Sequence, residues 1–580
     1  MLDFRHPNSL WATVAVETLV RLGLTTAVIS PGSRSTPLTL AFASHPQVEA
    51  IPILDERSAS FFALGRAKAT GTAVVLLCTS GTAGANYFPA VIEAWESRVP
   101  LLILTADRPP ELRHCSSGQT IDQQKLFGAY VNTYRELGLP EATMPTLGYL
   151  RQTLSHSWQR AHGPTAGPVH LNCPFRDPLA PPLDRPDPAM VALEASWETS
   201  FFDHLHPLDC PWGSLPTLPP DFAQTERGVI VAGPAQPLDP VAYCQAIAAL
   251  AKTLGWPVLA EGLSPLRNGG LNPGLVTTYA ALLRQPQLAE RLAPEQVLQI
   301  GALPTSKVLR QWLAEIDPLR WVIDMGDRNG DPLHGRTRQL GEISLEGLAA
   351  LAASQAQPPP EQPSAYWQTW RQWEARARQQ LDQTLAGLET PFAGKVPWLM
   401  GQGLPPNTPV FIANSTPVRD VEWFWPVTNR GIKPHFNRGA NGIDGTLSTA
   451  LGMAHGGQSS VLLTGDLALL HDSNGLLIRP QLRGHLTIVL INNQGGGIFE
   501  MLPIAQFGAS FETFFATPQA VSFDTLCAAH GVRYEAIHTW PQLAERLADL
   551  PEQGIRLLEV RSDRQQDAQQ RLALLNLSST

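Results

Sequence analysis

The chain reads as an α/β protein built from three doubly wound parallel-sheet domains, and three observations predict it. Its 580 residues exceed what one hydrophobic core serves. Short, almost wholly apolar runs alternate with amphipathic stretches from end to end. Two proline-rich segments interrupt that alternation and leave three blocks of ordinary domain size. Strands apolar on both faces belong to parallel sheets covered by helices.

In order, the first block offers the runs TTAVIS, AVVLLCTS, PLLILTA and PVHLNC. The middle block offers GVIVAG, QVLQIG and RWVIDM, and the last PVFIAN, SVLLTGD and LTIVLINN. The interruptions run from Asp177 to Met190 and from Pro358 to Pro363. Clustered prolines disfavour helix and central strand, so both segments read as linkers. The predicted domains are 1–185, 195–355 and 365–580. A faint echo links the outer two: Ser35-Thr36-Pro37 and Ser415-Thr416-Pro417 each follow an apolar run. In both, threonine is expected as N-cap and proline as first helical residue.

With 43% hydrophobic and 16% charged residues the chain belongs to the globular class. A net charge of -9 argues against a nucleic-acid partner, yet leaves room for anionic small molecules in an arginine-lined cleft. Six scattered cysteines without CxxC spacing predict buried thiols in a reducing compartment rather than disulfides or a zinc site. The opening MLDFRHPNSL lacks a signal-peptide pattern, and no run of about 18 apolar residues occurs. The expectation is a soluble, cytoplasmic protein with no membrane contact.

The most informative segment spans Gly465 to Phe499. One strand is expected to end at Gly465-Asp466, a helix to begin near Asp472-Ser473, and a second strand to end at Asn492-Asn493. Ligands of open α/β sheets bind at such carboxyl ends. Asp466, the Asn493 amide and a carbonyl near Gly495 are hard oxygen donors suited to Mg²⁺, which completes its shell with phosphate and water. Gly495, Gly496 and Gly497 let backbone pass close to a diphosphate. Gly-Asp followed 27 positions later by the second asparagine of a pair resembles the thiamine-diphosphate motif, with Leu467 where glycine is usual.

That cofactor acts once a carboxyl group on its pyrimidine ring favours the tautomer that removes the C2 proton. Glu56, following the run AIPIL and opening a helix, is a candidate; its neighbour Asp55 is as good on these grounds, and an acid there also serves the helix dipole. Ile443, in NRGANGIDGTLSTALG, is a candidate for the aliphatic wedge that holds the two cofactor rings bent; an ordinary core isoleucine fits the same pattern.

Longer segments carry a closer likeness. They are ISPGSRSTPLTLA (29–41), LDERSASFFALGRAKA (54–69), TSGTAGANYFPAVIEA (79–94) and LTADRPPELRHCSSGQTIDQ (104–123), then HLNCPF (170–175), NSTPVRD (414–420) and NRGANGIDGTLSTALG (437–452). In these the chain resembles the 2-succinyl-5-enolpyruvyl-6-hydroxy-3-cyclohexene-1-carboxylate synthases, whose Gly-Asp-Leu variant it shares. The likeness is dense in the outer blocks and thin in the middle one.

The resemblance implies three domains of the thiamine-diphosphate-enzyme type, with thiamine diphosphate and Mg²⁺ (or Mn²⁺) as cofactors. It implies decarboxylation of 2-oxoglutarate and 1,4-addition of the resulting carbanion to isochorismate in menaquinone or phylloquinone biosynthesis. It also implies a homodimer or dimer of dimers with sites between subunits. It selects Glu56 over Asp55 as the cofactor-activating acid. Ser33, Arg34, Arg108, Gln119 and Lys307 match the isochorismate side, and Ser415, Arg419 and Arg438 the 2-oxoglutarate side. Ile443, Gly465, Asp466, Leu467, Asn493, Gly495, Ile498 and Phe499 match the cofactor contacts, with Asp466, Asn493 and Gly495 on the metal. Arginine suits two dicarboxylate substrates because it offers parallel donors to a carboxylate. One departure stands out: Val308 follows Lys307 where the family can carry arginine, and Arg310 is the nearest substitute.

Two rivals remain. Another thiamine-dependent 2-oxo acid decarboxylase or an acetohydroxyacid-synthase-like carboligase would share the metal motif without needing four arginines. A nucleotide-binding module would draw on GVIVAGPAQPLD (228–239), which lacks GxGxxG.

Overall fold

Apolar runs with no polar face become central strands, and all ten that the sequence marks do so in the computed structural model of the chain. The structure describes residues 2–182, 188–207, 225–270, 274–324, 329–342, 347 and 363–576. The first sheet holds β1 (Thr26–Ile29), β2 (Glu49–Pro52), β3 (Val74–Cys78), β4 (Leu101–Asp107), β5 (Thr133–Glu136) and β6 (Pro168–Pro174). All pair in parallel, in the order β2-β1-β3-β4-β6-β5.

The middle sheet holds β7 (Gly228–Ala232), β8 (Val258–Ala260), β9 (Leu275–Val276), β10 (Gln296–Ile300), β11 (Leu319–Asp324) and β12 (Thr337–Glu342). Its parallel order β12-β11-β10-β7-β8-β9 is that of a dinucleotide-fold sheet. The last sheet holds β13 (Pro409–Ile412), β14 (Lys433–His435), β15 (Ser460–Gly465), β16 (His485–Asn492), β17 (Arg533–Ile537) and β18 (Gly554–Arg561). Its order β14-β13-β15-β16-β18-β17 repeats that of the first sheet strand for strand, which gives the faint echo of the outer blocks a topological basis.

Each sheet is covered on both sides. Alternate residues of the first (Ala27, Val75, Leu77, Leu102, Leu104, Val169) pack against helices Pro7–Arg21 and Met144–His162, burying Trp11 and Trp158. One face of the middle sheet packs on helix Pro240–Leu254, the other on Trp312, Tyr366 and Trp370. Tyr366 and Trp370 begin the long helix Ala365–Gly387, whose later residues Leu381 and Leu385 join Phe392, Phe424 and Leu574.

The chain packs as two compact units. One comprises Met1–Pro211, Asn437–His455 and His471–Leu482; the other comprises Trp212–Phe436, Gly456–Leu470 and Arg483–Thr580. Within the first, helix Glu56–Thr70 crosses helix Thr446–Ala454 at backbone contact. A Cβ on Gly65 would lie 2.0 Å from the Thr449 carbonyl oxygen, and one on Gly452 would lie 2.0 Å from that of Phe62. Only glycine permits that approach.

Several local expectations are corrected. The N-caps are Ser35 and Ser415, with Thr36 and Thr416 already helical, and neither serine makes a side-chain cap bond. Pro188 opens a helix, Pro188–Ala195, inside the segment read as the first linker, as proline in a first turn allows. Residues 183–187 of that linker and 358–362 of the second lie outside the described residues. Cys78, Cys173, Cys244 and Cys527 are free and buried, but Cys115 is free and exposed; Cys210 lies outside the described residues. No helix among the described residues is long and apolar enough to cross a membrane.

Candidate active site

In the second unit, β15 and β16 are neighbours in register, with Gly465 opposite Ile491. Asp466 and Asn493 therefore stand just past two adjacent carboxyl ends, and both are buried. Asp466 accepts the backbone N–H of Gly495 at 2.7 Å and of Leu467 at 2.9 Å. Burial holds its carboxyl above the ordinary range. Gly495 has φ +123°, and a Cβ there would meet the Ala516 carbonyl oxygen at 2.2 Å, so the turn requires glycine. Ile498 and Phe499 follow on the 3₁₀ turn Gly497–Met501, Phe499 edge-on to Phe515 at 5.8 Å. Arg564 ties the segment down, donating to the Gln494 carbonyl at 3.0 Å and to Glu500 at 2.7 Å.

A buried carboxylate, an amide and a glycine-rich backbone at the carboxyl ends of two adjacent strands form a hard-oxygen donor set that fits a small divalent cation beside a phosphate. No group of three or more His, Cys, Asp or Glu side chains able to hold a metal occurs among the described residues. A short helix, Asp466–His471, comes first, and the helix expected near Asp472-Ser473 follows as the 3₁₀ helix Ser473–Gln481 with Asp472 at its N-cap position. Asp472 is spent within the first unit, accepting the N–H and hydroxyl of Ser448 at 2.7 and 3.0 Å, and burial pushes it up to about 6.

Ser415, at the end of β13, has φ +71° and ψ −129°, a backbone state that costs a side-chain-bearing residue about 1–3 kcal/mol. Arg419 donates to the Ser415 carbonyl at 2.6 Å, one turn into helix Thr416–Phe424. The next residue, Asp420, forms a bidentate ion pair with Arg571 at 2.6 and 2.7 Å, both side chains fully buried. Glu422 on the same helix accepts the Gly262 N–H at 2.5 Å and pairs with Arg267 at 3.1 Å. Strain at Ser415 persists because the helix behind it is anchored at these points.

Lys307 is exposed at the first position of helix Lys307–Ile316. Val308 packs against the middle core, and Arg310 is committed to the carbonyls of Leu303 and Pro304 at 3.0 and 2.7 Å. Arg310 is thus no substitute for a second cation beside Lys307.

In the first unit, Arg34 follows β1 and Arg108 follows β4. The Arg34 guanidinium is buried, donating to the Phe175 carbonyl at 2.9 Å. Its Nε has no hydrogen-bond partner among the described residues. Burial first, and the nearby positive charge of Arg108 second, hold its pKa below the ordinary arginine value. Arg108 donates to the Ser80 hydroxyl at 2.7 Å and the Gly118 carbonyl at 2.8 Å. Gln119, at φ +55°, donates to the Ser80 carbonyl at 3.1 Å. Ser33 is exposed in the same turn as Arg34, its carbonyl accepting the Thr36 hydroxyl at 2.6 Å. Two guanidinium groups, one with its buried Nε unpaired among the described residues, follow the carboxyl ends of β1 and β4, an arrangement suited to a carboxylate ligand.

Asp55 is the N-cap of helix Glu56–Thr70, accepting the Ser58 N–H at 3.1 Å and the Asn474 amide at 2.7 Å. Glu56 is the first helical residue and is half-buried. Arg438 and Ile443, both half-buried, lie on the loop before helix Thr446–Ala454, where the Ile443 carbonyl accepts the Thr446 hydroxyl at 2.7 Å.

Sequence reasoning missed the groups that hold these pieces. Ser80 and Gln123 organise the Arg108 turn: Gln123 accepts the Gly81 N–H at 2.8 Å and donates to the Ala106 carbonyl at 3.2 Å. Lys68 and Glu93 are buried charges on otherwise apolar helix faces, and that mismatch was the available signal.

Three family models match the chain: "Thiamine pyrophosphate enzyme, N-terminal TPP binding domain" over residues 11–126, "Middle domain of thiamine pyrophosphate" over 219–407, and "Thiamine pyrophosphate enzyme, C-terminal TPP binding domain" over 424–560. Fold and models together define a thiamine-diphosphate-dependent enzyme. The 2-succinyl-5-enolpyruvyl-6-hydroxy-3-cyclohexene-1-carboxylate synthase of Trichormus variabilis is 58% identical over 98% of this chain and 97% of its own length. Those of Rippkaea orientalis and Acaryochloris marina are 56% and 53% identical, each over 98% of this chain and over 96% and 98% of their own lengths. The chain belongs to the 2-succinyl-5-enolpyruvyl-6-hydroxy-3-cyclohexene-1-carboxylate synthase family.

Proposed function

We propose that the chain decarboxylates 2-oxoglutarate and adds the resulting four-carbon unit 1,4 to isochorismate. The products are 2-succinyl-5-enolpyruvyl-6-hydroxy-3-cyclohexene-1-carboxylate and CO₂, on the route to menaquinone or phylloquinone. The observation that carries this choice is the convergence of Arg34, with its unpaired buried Nε, and Arg108 at the carboxyl ends of β1 and β4. A small aliphatic 2-oxo acid carries a single carboxylate, the one lost as CO₂ when it is the donor, whereas a dicarboxylate acceptor keeps two and suits a pair of guanidinium groups.

Thiamine diphosphate, when bound, supplies the electron sink for loss of CO₂ and for carbon–carbon bond formation. Asp466, Asn493 and the Gly495 carbonyl would hold Mg²⁺, or Mn²⁺ by the same oxygen chemistry, which would neutralise diphosphate charge. Gly465, Leu467, Ile498 and Phe499 line that end, and Ile443 supports the rings. Glu56 holds a proton on the pyrimidine ring; Asp55, spent as a helix cap, is not available for this. Ser33, Arg34, Arg108, Gln119 and Lys307 orient isochorismate. Ser415, Arg419 and Arg438 hold the carboxylate contributed by 2-oxoglutarate. The enzyme works in the cytoplasm as a homodimer or dimer of dimers, with each site completed by the partner subunit.

The test supplies purified protein, thiamine diphosphate and Mg²⁺ with both substrates, following isochorismate absorbance and CO₂ together. Equal loss of isochorismate and release of CO₂, abolished without Mg²⁺, is expected. Arg419→Glu should abolish turnover of 2-oxoglutarate. Parental activity in that variant, or CO₂ release with isochorismate untouched, would refute the assignment.

A further inference from the structure

The loop 437–445 carries Arg438 and Ile443, and in the first unit two buried charges grip it on either side of Arg438. Lys68, on helix Glu56–Thr70, donates from Nζ to the Asn437 side-chain oxygen at 2.8 Å. Glu93, on helix Phe88–Ser97, accepts the Gly439 N–H at 3.1 Å and the Ala440 N–H at 2.7 Å. Glu93 also accepts the Ser97 hydroxyl at 2.5 Å and lies 3.7 Å from Lys68 Nζ, each side chain 4% exposed. Asn437 passes the constraint on, donating to the Thr449 hydroxyl at 3.0 Å, and that hydroxyl donates to the Gly445 carbonyl at 2.6 Å. The loop lies flat on the helix: a Cβ on Gly439 would be 2.7 Å from Glu96 Cβ and 2.9 Å from the Ser97 nitrogen.

We infer that Lys68 and Glu93 are positioning residues for the reaction, fixing Arg438 for the carboxylate of 2-oxoglutarate through the peptide groups that flank it. The inference rests on the role proposed above for Arg438. Two helices can be held together without charge, and a neutral pair of similar volume commonly does so as well or better. Burial here is costly enough to push Lys68 down to about 8 despite its acidic neighbour. What an apolar pair cannot do is accept two successive backbone N–H groups, one on each carboxylate oxygen, and donate to the preceding residue. The loop therefore reorients only by leaving a buried carboxylate short of its donors.

The experiment compares Glu93→Gln, the uncharged double variant Lys68→Met/Glu93→Gln, and Arg438→Ala, reading KM for each substrate, kcat, thiamine-diphosphate affinity and the melting midpoint. A displaced Arg438 should raise KM for 2-oxoglutarate about 10- to 100-fold in all three. KM for isochorismate, cofactor affinity and the double variant's midpoint should stay near parental values. If Glu93→Gln fails to fold, the double variant, free of buried charge, gives the answer. Parental KM for 2-oxoglutarate in a folded double variant overturns the inference while Arg438→Ala still raises it. A uniform loss of both KM values, cofactor affinity and midpoint assigns the pair to stability alone and also overturns it. Parental KM in Arg438→Ala removes the role of Arg438 itself, and the inference falls with it.

Discussion

Replacing Gly65 by alanine adds one methyl group where the helices Glu56–Thr70 and Thr446–Ala454 touch through their backbones. The new carbon would stand 2.0 Å from the Thr449 carbonyl oxygen, 2.8 Å from its carbon and 3.0 Å from the Met453 nitrogen. None of these atoms can rotate aside. A carbon–oxygen contact relaxes near 3.3 Å, so the helices must part by about 1.3 Å. Overpacking of this kind costs about 1–3 kcal/mol, and rigid backbone neighbours place it at the upper end. Alanine returns about 1 kcal/mol of helix propensity, leaving a net loss of about 2 kcal/mol. For a unit of this size that lowers the melting midpoint by about 4–8 °C.

The control is Gly148→Ala in helix Met144–His162, where a Cβ would meet nothing within 4 Å. Propensity acts alone there, and the midpoint should rise by about 1–4 °C. Differential scanning calorimetry on both variants decides the matter. A rise in Gly65→Ala like that in Gly148→Ala would show that the helices do not meet at this point. Gly452→Ala should behave as Gly65→Ala does, and the double variant should lose less than the two losses added, because one separation accommodates both methyl groups.

Asp466→Ala should weaken Mg²⁺-dependent binding of thiamine diphosphate about 100-fold or more, as titration calorimetry would record, since it removes the buried carboxylate at that strand end. Asp472→Asn should stabilise the protein near neutral pH. The buried carboxyl titrates at about 6 folded against about 4 unfolded, so the folded form binds the extra proton between those values and stability falls as pH rises through them. The variant keeps both contacts with Ser448, its oxygen accepting the N–H and its amide donating to the hydroxyl; its unfolding free energy should match the parent near pH 4 and exceed it increasingly towards pH 7, by about 3 kcal/mol at most, with the midpoint following. Equal midpoints at pH 7 would refute this. Arg571→Met strands Asp420 as a buried unpaired charge and should cost about 3–5 kcal/mol in thermal unfolding; a loss below about 1 kcal/mol would deny the pair its anchoring role behind Arg419.

The sequence by itself determined the fold class and the cofactor class. Strands covered on both faces must be continuously apolar, so all ten marked runs were legible without structure. The Gly-Asp and Asn-Asn turns were legible because each is local to a strand end, and their spacing is that of one βαβ unit. Helix caps were less legible: moving the cap from Thr36 to Ser35 or from Thr416 to Ser415 changes one residue's dihedral angles and leaves the composition untouched. The two similar turns even differ in kind, since Ser415 takes a positive φ and Ser35 does not.

Only the tertiary structure decided which groups hold the candidate site in place. It spends Asp55 on capping Ser58, ties Arg310 to the carbonyls before its own helix, and sets Lys68 and Glu93 on either side of Arg438. These assignments join residues as much as 369 positions apart in the chain. A buried charge declares its partner only when the fold brings donor and acceptor within about 3 Å, and no local pattern of residue types encodes that distance.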